Sequence, residues 1–314
     1  MRVCRLVMAG VVGLMSVVVA CGLLVGGCSK PDGPGAYSGD PAPELLIMPV
    51  YSPADSSIYY VDSGVDSACY ADYICCGCPA TSQPGIYRLR LDNDDPAELV
   101  VADGFDPDIS PDGSVMFYHP GAWGGPIMKI RLPDGEPELV KNGCFIRACW
   151  FSPDTLVVGG CDWETYFLDM STDSLHLIEG LQFSGSFDVG PDGRIALGGT
   201  GFYDPHDSTK VKITSEGIRP RWSPDGKNLV FYRSLGSGNA EIRVTDLDGN
   251  QRILATGRGL SDPDYTSDGE SIIYVKWTTP DDGGSMIQDG QIWIMSAADG
   301  SRKRQVTTWS RIRP

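Results

Sequence analysis

Ile218-Arg-Pro-Arg-Trp-Ser-Pro-Asp-Gly-Lys-Asn-Leu-Val-Phe-Tyr232 decides the fold of this 314-residue chain, because its pattern returns along the sequence. Phe105-Asp-Pro-Asp-Ile-Ser-Pro-Asp-Gly-Ser-Val-Met-Phe-Tyr118 and Asp262-Pro-Asp-Tyr-Thr-Ser-Asp-Gly-Glu-Ser-Ile-Ile-Tyr274 are close echoes, and Phe187 to Leu197 is a fourth copy. Cys149 to Val158 and Met48 to Tyr60 are degraded copies that have lost the glycine. Taking positions 53, 111, 153, 191, 224 and 267 as markers, the spacings are 58, 42, 38, 33 and 43 residues. Repeats near this period signal stacked units, each unable to bury its apolar face alone.

The turn has its own chemistry. Pro presets φ near −65°, Asp bonds its own backbone, and Gly supplies the positive φ that closes the bend. An alternating apolar run follows each turn, such as Leu229 to Tyr232 or Ile272 to Val275, which is the period of a strand. Further strands are expected at Ala240–Leu247 and Gly290–Ser296, then, after Asp248-Gly249 or Asp299-Gly300, at Gln251–Ala255 and Arg302–Thr308. With the short strand before each turn, a unit holds four antiparallel strands. Only Thr200 to Lys210 gives no clear third strand. The expected fold class is all-β: a six-bladed β-propeller of four-stranded antiparallel blades, which leaves only short edges.

The Trp-Ser-Pro-Asp-Gly-Lys unit resembles the TolB-type repeat, a relative of WD40-like propeller repeats, over residues 45–314. In that family six such repeats form a six-bladed propeller. TolB itself carries an α/β domain before its propeller and is soluble in the periplasm. Here only the tether Ser29–Pro43 precedes the first strand, so the family's Pal-binding role is not transferred. The chain ends with Arg311-Ile-Arg-Pro314, a partial copy of Ile218-Arg-Pro, so the first strand, Leu45–Tyr51, is expected to sit beside the last blade.

The N-terminus reads as an address. Arg2 and Arg5 precede a long apolar run, Leu6 to Val25, the n-region and h-region of a signal peptide, with a retained anchor helix as the rival. Val25-Gly26-Gly27-Cys28 resembles the bacterial lipobox, which implies a lipoprotein signal peptide over 1–27 and an acylated Cys28. Val18-Val19-Ala20-Cys21 also fits, but cutting there would leave Gly22–Gly27 on the mature chain. Acyl chains such as palmitate contribute about 0.8 kcal/mol per buried CH₂, enough together for stable anchoring. Residues 28–44 then form a lipid-anchored flexible linker rich in Pro, Gly and Ser. In lipoproteins of double-membraned bacteria, Ser29 after the cysteine implies outer-membrane sorting, so the expected location is the cell envelope, on its periplasmic or surface face.

The chain has 25 Lys plus Arg against 41 Asp plus Glu, a formal charge of −16. Such an acidic body has no counterion-release drive toward nucleic acid. Its attachment to membrane is expected through lipid alone.

Of the ten cysteines, Cys69, Cys75, Cys76 and Cys78 sit in an insertion at 63–84 in blade one, and Cys144, Cys149 and Cys161 lie in blade three. Export favours disulfides. One or two are expected in the insertion, whose spacing fits no zinc knuckle. With a hairpin turn at Ser152–Thr155, Cys149 would face Val158 and Ile146 would face Cys161. Cys144–Cys161 is therefore preferred over Cys144–Cys149, leaving Cys149 a free buried thiol.

No Gly-x-Ser-x-Gly, His-Glu-x-x-His or phosphate loop is present, so no catalytic residue, cofactor or metal is assigned. His119, His176 and His206 read as loop or surface residues. The runs Asp92–Asp95 and Asp246–Asn250 read as solvated turns rather than calcium loops. The strands before each turn should be innermost, so Asp106, Asp108, Arg147, Asp188, Arg219, Arg221, Asp262 and Asp264 are candidate channel-lining ligand residues. Tyr70, Tyr73 and Trp123 are candidate contact aromatics. The functional expectation is a non-catalytic binding platform for an envelope protein or peptide. The alternatives are an enzyme acting on an envelope glycan or peptide through Asp, Arg and His residues in the axial cavity, and a purely structural envelope protein.

Overall fold

Each Ser-Pro-Asp-Gly turn closes a hairpin through a hydroxyl as well as through Pro, Asp and Gly. In the computed structural model, Ser223 Oγ donates to Asp225 Oδ1 at 2.7 Å and accepts the Asn228 N–H at 2.9 Å, while Gly226 N–H returns to the Ser223 carbonyl at 2.9 Å. Ser110 with Asp112 and Thr266 with Asp268 repeat the arrangement. Gly226 adopts φ 68°, a conformation that a side chain would strain. The serine hydroxyls, first among several hydrogen bonds, hold Asp112 and Asp225 below the ordinary carboxylate range.

The structure describes residues 44–66, 83–121, 124–182, 185–278 and 289–308, within a compact unit spanning Pro41–Pro314. Cys21, Cys28, Cys69, Cys75, Cys76, Cys78, Tyr70, Tyr73 and Trp123 lie outside the described residues, as does the expected signal sequence. The described residues are all-β, with no helix long and apolar enough to cross a membrane.

The strands follow one another as antiparallel meanders. The first is β1 (Glu44–Ser52), β2 (Ser57–Asp66), β3 (Gly85–Arg90) and β4 (Glu98–Ala102). Strand β2 runs four residues into the stretch read as an insertion. Next come β5 (Gly104–Ile109), β6 (Val115–Pro120), β7 (Gly125–Arg131) and the start of β8 (Glu138–Ser152). The rest of β8 opens the following meander with β9 (Thr155–Gly160), β10 (Glu164–Asp169) and β11 (Ser174–Gln182). One continuous strand thus closes one unit and begins the next.

A short-stranded meander follows: β12 (Phe187–Val189), β13 (Ile195–Leu197), β14 (Gly201–Asp204) and β15 (Thr209–Lys212). The third strand that the sequence did not reveal is β14. Its buried Phe202-Tyr203 pair is too brief for alternation to register, and β15 is exposed throughout. Then come β16 (Ile218–Trp222), β17 (Asn228–Gly236), β18 (Asn239–Asp246) and β19 (Gln251–Arg258). The last group is β20 (Leu260–Tyr265), β21 (Ser271–Thr278), β22 (Asp289–Ser296) and β23, which spans only Arg304–Gln305. Strand β1 pairs along its length with β2 and meets β22 at a single parallel bridge, Leu45 to Gly290.

The opening strands touch in order, β1 to β5, β5 to β8, β8 to β12, β12 to β16 and β16 to β20, and β20 touches β1. Alternation then sends neighbouring residues into different cores. Ile58 and Tyr60 pack with Ile273 and Ile292, whereas Tyr59 and Val61 pack with Met116 and Tyr118. Phe117, between those last two, joins Leu156 and Val158 instead. Both faces of such a sheet are buried, so its strands are apolar on both sides.

The smallest core contains Ala196, Phe202, Trp222 and Leu229. There Arg194 reinforces the contact: its guanidinium lies 4.9 Å from the Phe202 ring and 4.8 Å from the Trp222 ring. Its Nε donates to Asp192 and its Nη2 to the Gly226 carbonyl. Arg194→Ala is expected to cost about 2 kcal/mol in urea unfolding, and Arg194→Lys to recover less than half, since an ammonium cannot stack flat on two rings.

Candidate functional site

Four opening strands carry the same irregularity. Met48, Asp106, Arg219 and Asp262 have φ of 54°, 50°, 51° and 48°, each precedes a proline, and each lies where the ladder register shifts. Positive φ on a residue other than glycine is uncommon, and a bulge re-aims side chains. The signal was in the sequence: Pro49, Pro107, Pro220 and Pro263 each stand four residues before the turn markers 53, 111, 224 and 267.

The candidate ligand residues come together as ion pairs between successive opening strands. Arg147 Nη1 donates to Asp106 Oδ1 at 2.6 Å and its Nε to the Phe187 carbonyl at 2.8 Å; both charged side chains are buried. Arg221 lies 3.1 Å from Asp188, and Arg219 Nη1 lies 2.5 Å from Asp262 Oδ1 in an ionic contact rather than an aimed hydrogen bond. Asp108 and Asp188 also accept backbone N–H groups from the next unit, at Trp150 (2.9 Å) and Trp222 (2.8 Å). Asp264 accepts the N–H of Tyr265. Asp108 and Asp188 thus stitch neighbouring units together, whereas the bond to Asp264 stays within its own strand.

Two recesses of opposite character result. A cavity of about 510 Å³ is lined by Arg147, Arg219 and Arg221 with Asp106, and by apolar groups including Phe105 and Phe187. Another, of about 410 Å³, is lined by Asp108, Asp188 and Asp264 with Arg221. Electrostatics separates them further. Against the cost of burial, Arg147 holds Asp106 below the usual carboxylate range. Burial pushes Asp108 up to about 6 and Asp264 up to about 7, with Asp188 adding to both and Arg221 opposing.

Asp108, Cys149 and Asp188 place one donor atom each within 4.8 Å of one another. Burial raises the Cys149 thiol well above its ordinary value, which keeps it a poor metal ligand, and Arg221 already engages Asp188. Asp246 is committed to its own turn, accepting both the backbone and side-chain N–H of Asn250.

Several placements differ from the sequence reading. His119 is not a loop residue but a buried member of β6, its ring nitrogens 3.0 Å from the Gly121 carbonyl and 2.8 Å from that of Ile146. His176 and His206 are exposed. Cys149 pairs with Val157 rather than Val158, because a register shift between Trp150 and Ser152 moves the ladder by one. Cys144 and Cys161 form a disulfide with Cα atoms 5.5 Å apart, and Cys149 is a buried free thiol. Trp163, which the sequence reading passed over, lines the arginine-bearing cavity, is 60% exposed and has φ 66°. Its nearness to Cys161 was the available clue.

No protein-family model matches the sequence, and no curated protein matches it. Solved structures do resemble it. TolB from Acinetobacter baumannii superposes with a TM-score of 0.56 at 18% identity, covering 70% of this chain and 57% of that one. The chain thus spans a little over half of that protein's length. A putative TolB from Agrobacterium tumefaciens gives 0.55 at 19% identity, covering 67% and 84%. The β-propeller domain of the Trilobed protease from Pyrococcus furiosus gives 0.51 at 13% identity, covering 85% and 99%. At such identities the likeness shows the fold alone: an all-β architecture of antiparallel four-stranded sheets, similar to TolB-like β-propellers.

Proposed function

We propose that this chain is a cell-envelope lipoprotein, anchored through acylated Cys28, whose six-bladed propeller is a non-catalytic platform for a protein or peptide partner. The cyclic order of contacts among β1, β5, β8, β12, β16 and β20 supports the six-fold closure. The likeness to TolB supports a protein partner, and outer-membrane residence rests on Ser29. The observation that carries the platform is the arginine-bearing cavity, an open recess with apolar walls and few convergent polar groups. Photo-crosslinkers at its rim, in living cells, should capture one stoichiometric partner; capture of none overturns the platform. Cys28→Ala should abolish palmitate incorporation and release the protein from membranes. Loss on Cys21→Ala instead would move the anchor.

One observation favours the enzymatic alternative. Asp264, pushed to about 7 beside Asp108, has the protonation behaviour of a general acid or base. Glycan or peptide turnover abolished by Asp264→Asn, with the fold intact, would establish that reading.

A further inference from the structure

The arginine-bearing mouth is unusual for a protein of charge −16. Three guanidinium groups line it against one carboxylate, Asp106, which Arg147 already occupies. Arg219 keeps a third of its side chain exposed, and its pairing with Asp262 engages one nitrogen in a poorly aimed contact. Most of its five donors are therefore uncommitted, in the fork geometry that suits a carboxylate. Arg147 adds a charge behind it, with Nη2 buried and lacking a hydrogen-bond partner.

Much of the remaining wall is apolar, with Met48, Phe105, Ile146 and Phe187 lining the same cavity. Of its other polar groups, His119 has both ring nitrogens against backbone carbonyls, and Ser186 stands beside Phe187. At its rim stands Trp163, exposed and in a left-handed conformation, two residues from a cysteine locked to Cys144. A bulky residue at positive φ is strained, and such strain clusters where a side chain must be presented. A tryptophan ring offers a large contact area with only two side-chain torsions to freeze. Neither a bare anion nor a neutral hydrocarbon matches both halves of this wall.

Resting on the platform reading, we propose that this mouth binds a carboxylate carried on an apolar group, as at a polypeptide C-terminus ending in an aromatic or aliphatic residue. The carboxylate sits on Arg219, and the apolar group lies against Phe105, Phe187 and Trp163. A free carboxylic acid of similar shape shares this chemistry.

The test uses the full-length protein in detergent and fluorescence anisotropy of fluorescein-labelled Gly-Ala-Ala-Phe, either with a free C-terminal carboxylate or amidated. The amide controls for partition into detergent. The free acid should bind at least tenfold more tightly, Arg219→Gln should reduce it to the level of the amide, and Trp163→Ala should weaken both at least threefold. The double variant Arg219→Gln, Asp262→Asn removes any effect of an abandoned Asp262 charge and should behave as Arg219→Gln does. Equal binding of acid and amide, or a ratio unchanged by Arg219→Gln, overturns the proposal. Displacement by 3-phenylpropionate at concentrations near those of the peptide would identify a small carboxylate as the source; a need for far more would identify a polypeptide end. A partner crosslinked in cells while acid and amide bind equally would leave the platform standing and this proposal fallen. A tenfold preference for the acid that is lost in Arg219→Gln, with no partner captured in cells, would do the reverse.

Discussion

Arg147→Ala should destabilise the protein by about 3–5 kcal/mol, the cost typical of removing one member of a buried ion pair. Arg147 and Asp106 are both buried, Arg147 additionally donates to the Phe187 carbonyl, and its guanidinium lies 5.9 Å from the Phe187 ring. Truncation therefore leaves a buried carboxylate without the guanidinium that pairs with it and takes the charged donor from the Phe187 carbonyl, which the Cys149 thiol also approaches at 3.7 Å. With Arg147 gone, burial of Asp106 is opposed only by the weaker pull of His119, Arg219 and Arg221, so its titration moves upward and stability at pH 7 falls more than at pH 4. Asp106→Asn in the same background neutralises the stranded charge and should recover roughly half of the loss. Urea unfolding of the single and double variants at both pH values measures this. A loss below about 1 kcal/mol for Arg147→Ala would mean that the pair is solvated and does not tie β5 to β8.

That pair shows what could be read from residues alone and what could not. The strands after each turn were legible because Leu229 to Tyr232 and Ile272 to Val275 alternate and are bounded by Pro, Asp and Gly. The opening strands were placed by the same turns, and their residues Asp106, Arg147, Arg219 and Asp262 lie in one region. Which charges would pair was not legible, since Asp106 and Arg147 are 41 residues apart and meet only through the contact of β5 with β8. His119 was misread because the apolar pattern stops at Tyr118, whereas the strand continues to Pro120. Strand β14 was missed for want of length, and the Cys149 register was off by one because a bulge leaves no trace in hydrophobic alternation.

The second large effect is on pH dependence, and its sign runs opposite to that of the turn carboxylates. Asp264 at about 7 and Asp108 at about 6 are raised above the value of 3.8 that each would have in an unfolded chain. Between pH 4 and 7 the native state therefore binds more protons than the unfolded state, and its stability falls as pH rises. The contribution is fully present below about pH 4 and is lost as pH passes through 6 and 7. Asp106, Asp112 and Asp225 are depressed instead, so their contribution is present above about pH 4 and disappears as pH falls below it. The two sets act in different windows and can be separated. Asp264→Asn retains an oxygen for the Tyr265 N–H and removes the charge, so at pH 8 it should be more stable than the parent by about 2 kcal/mol, and indistinguishable at pH 4. Adding Asp108→Asn should flatten the remaining slope between pH 5 and 7, because Asp108 is the other carboxylate that burial pushes up in the recess it shares with Asp264. Urea midpoints across this range decide it. An undiminished slope in the double variant would place the titrating groups elsewhere and remove the physical basis for a proton-holding Asp264.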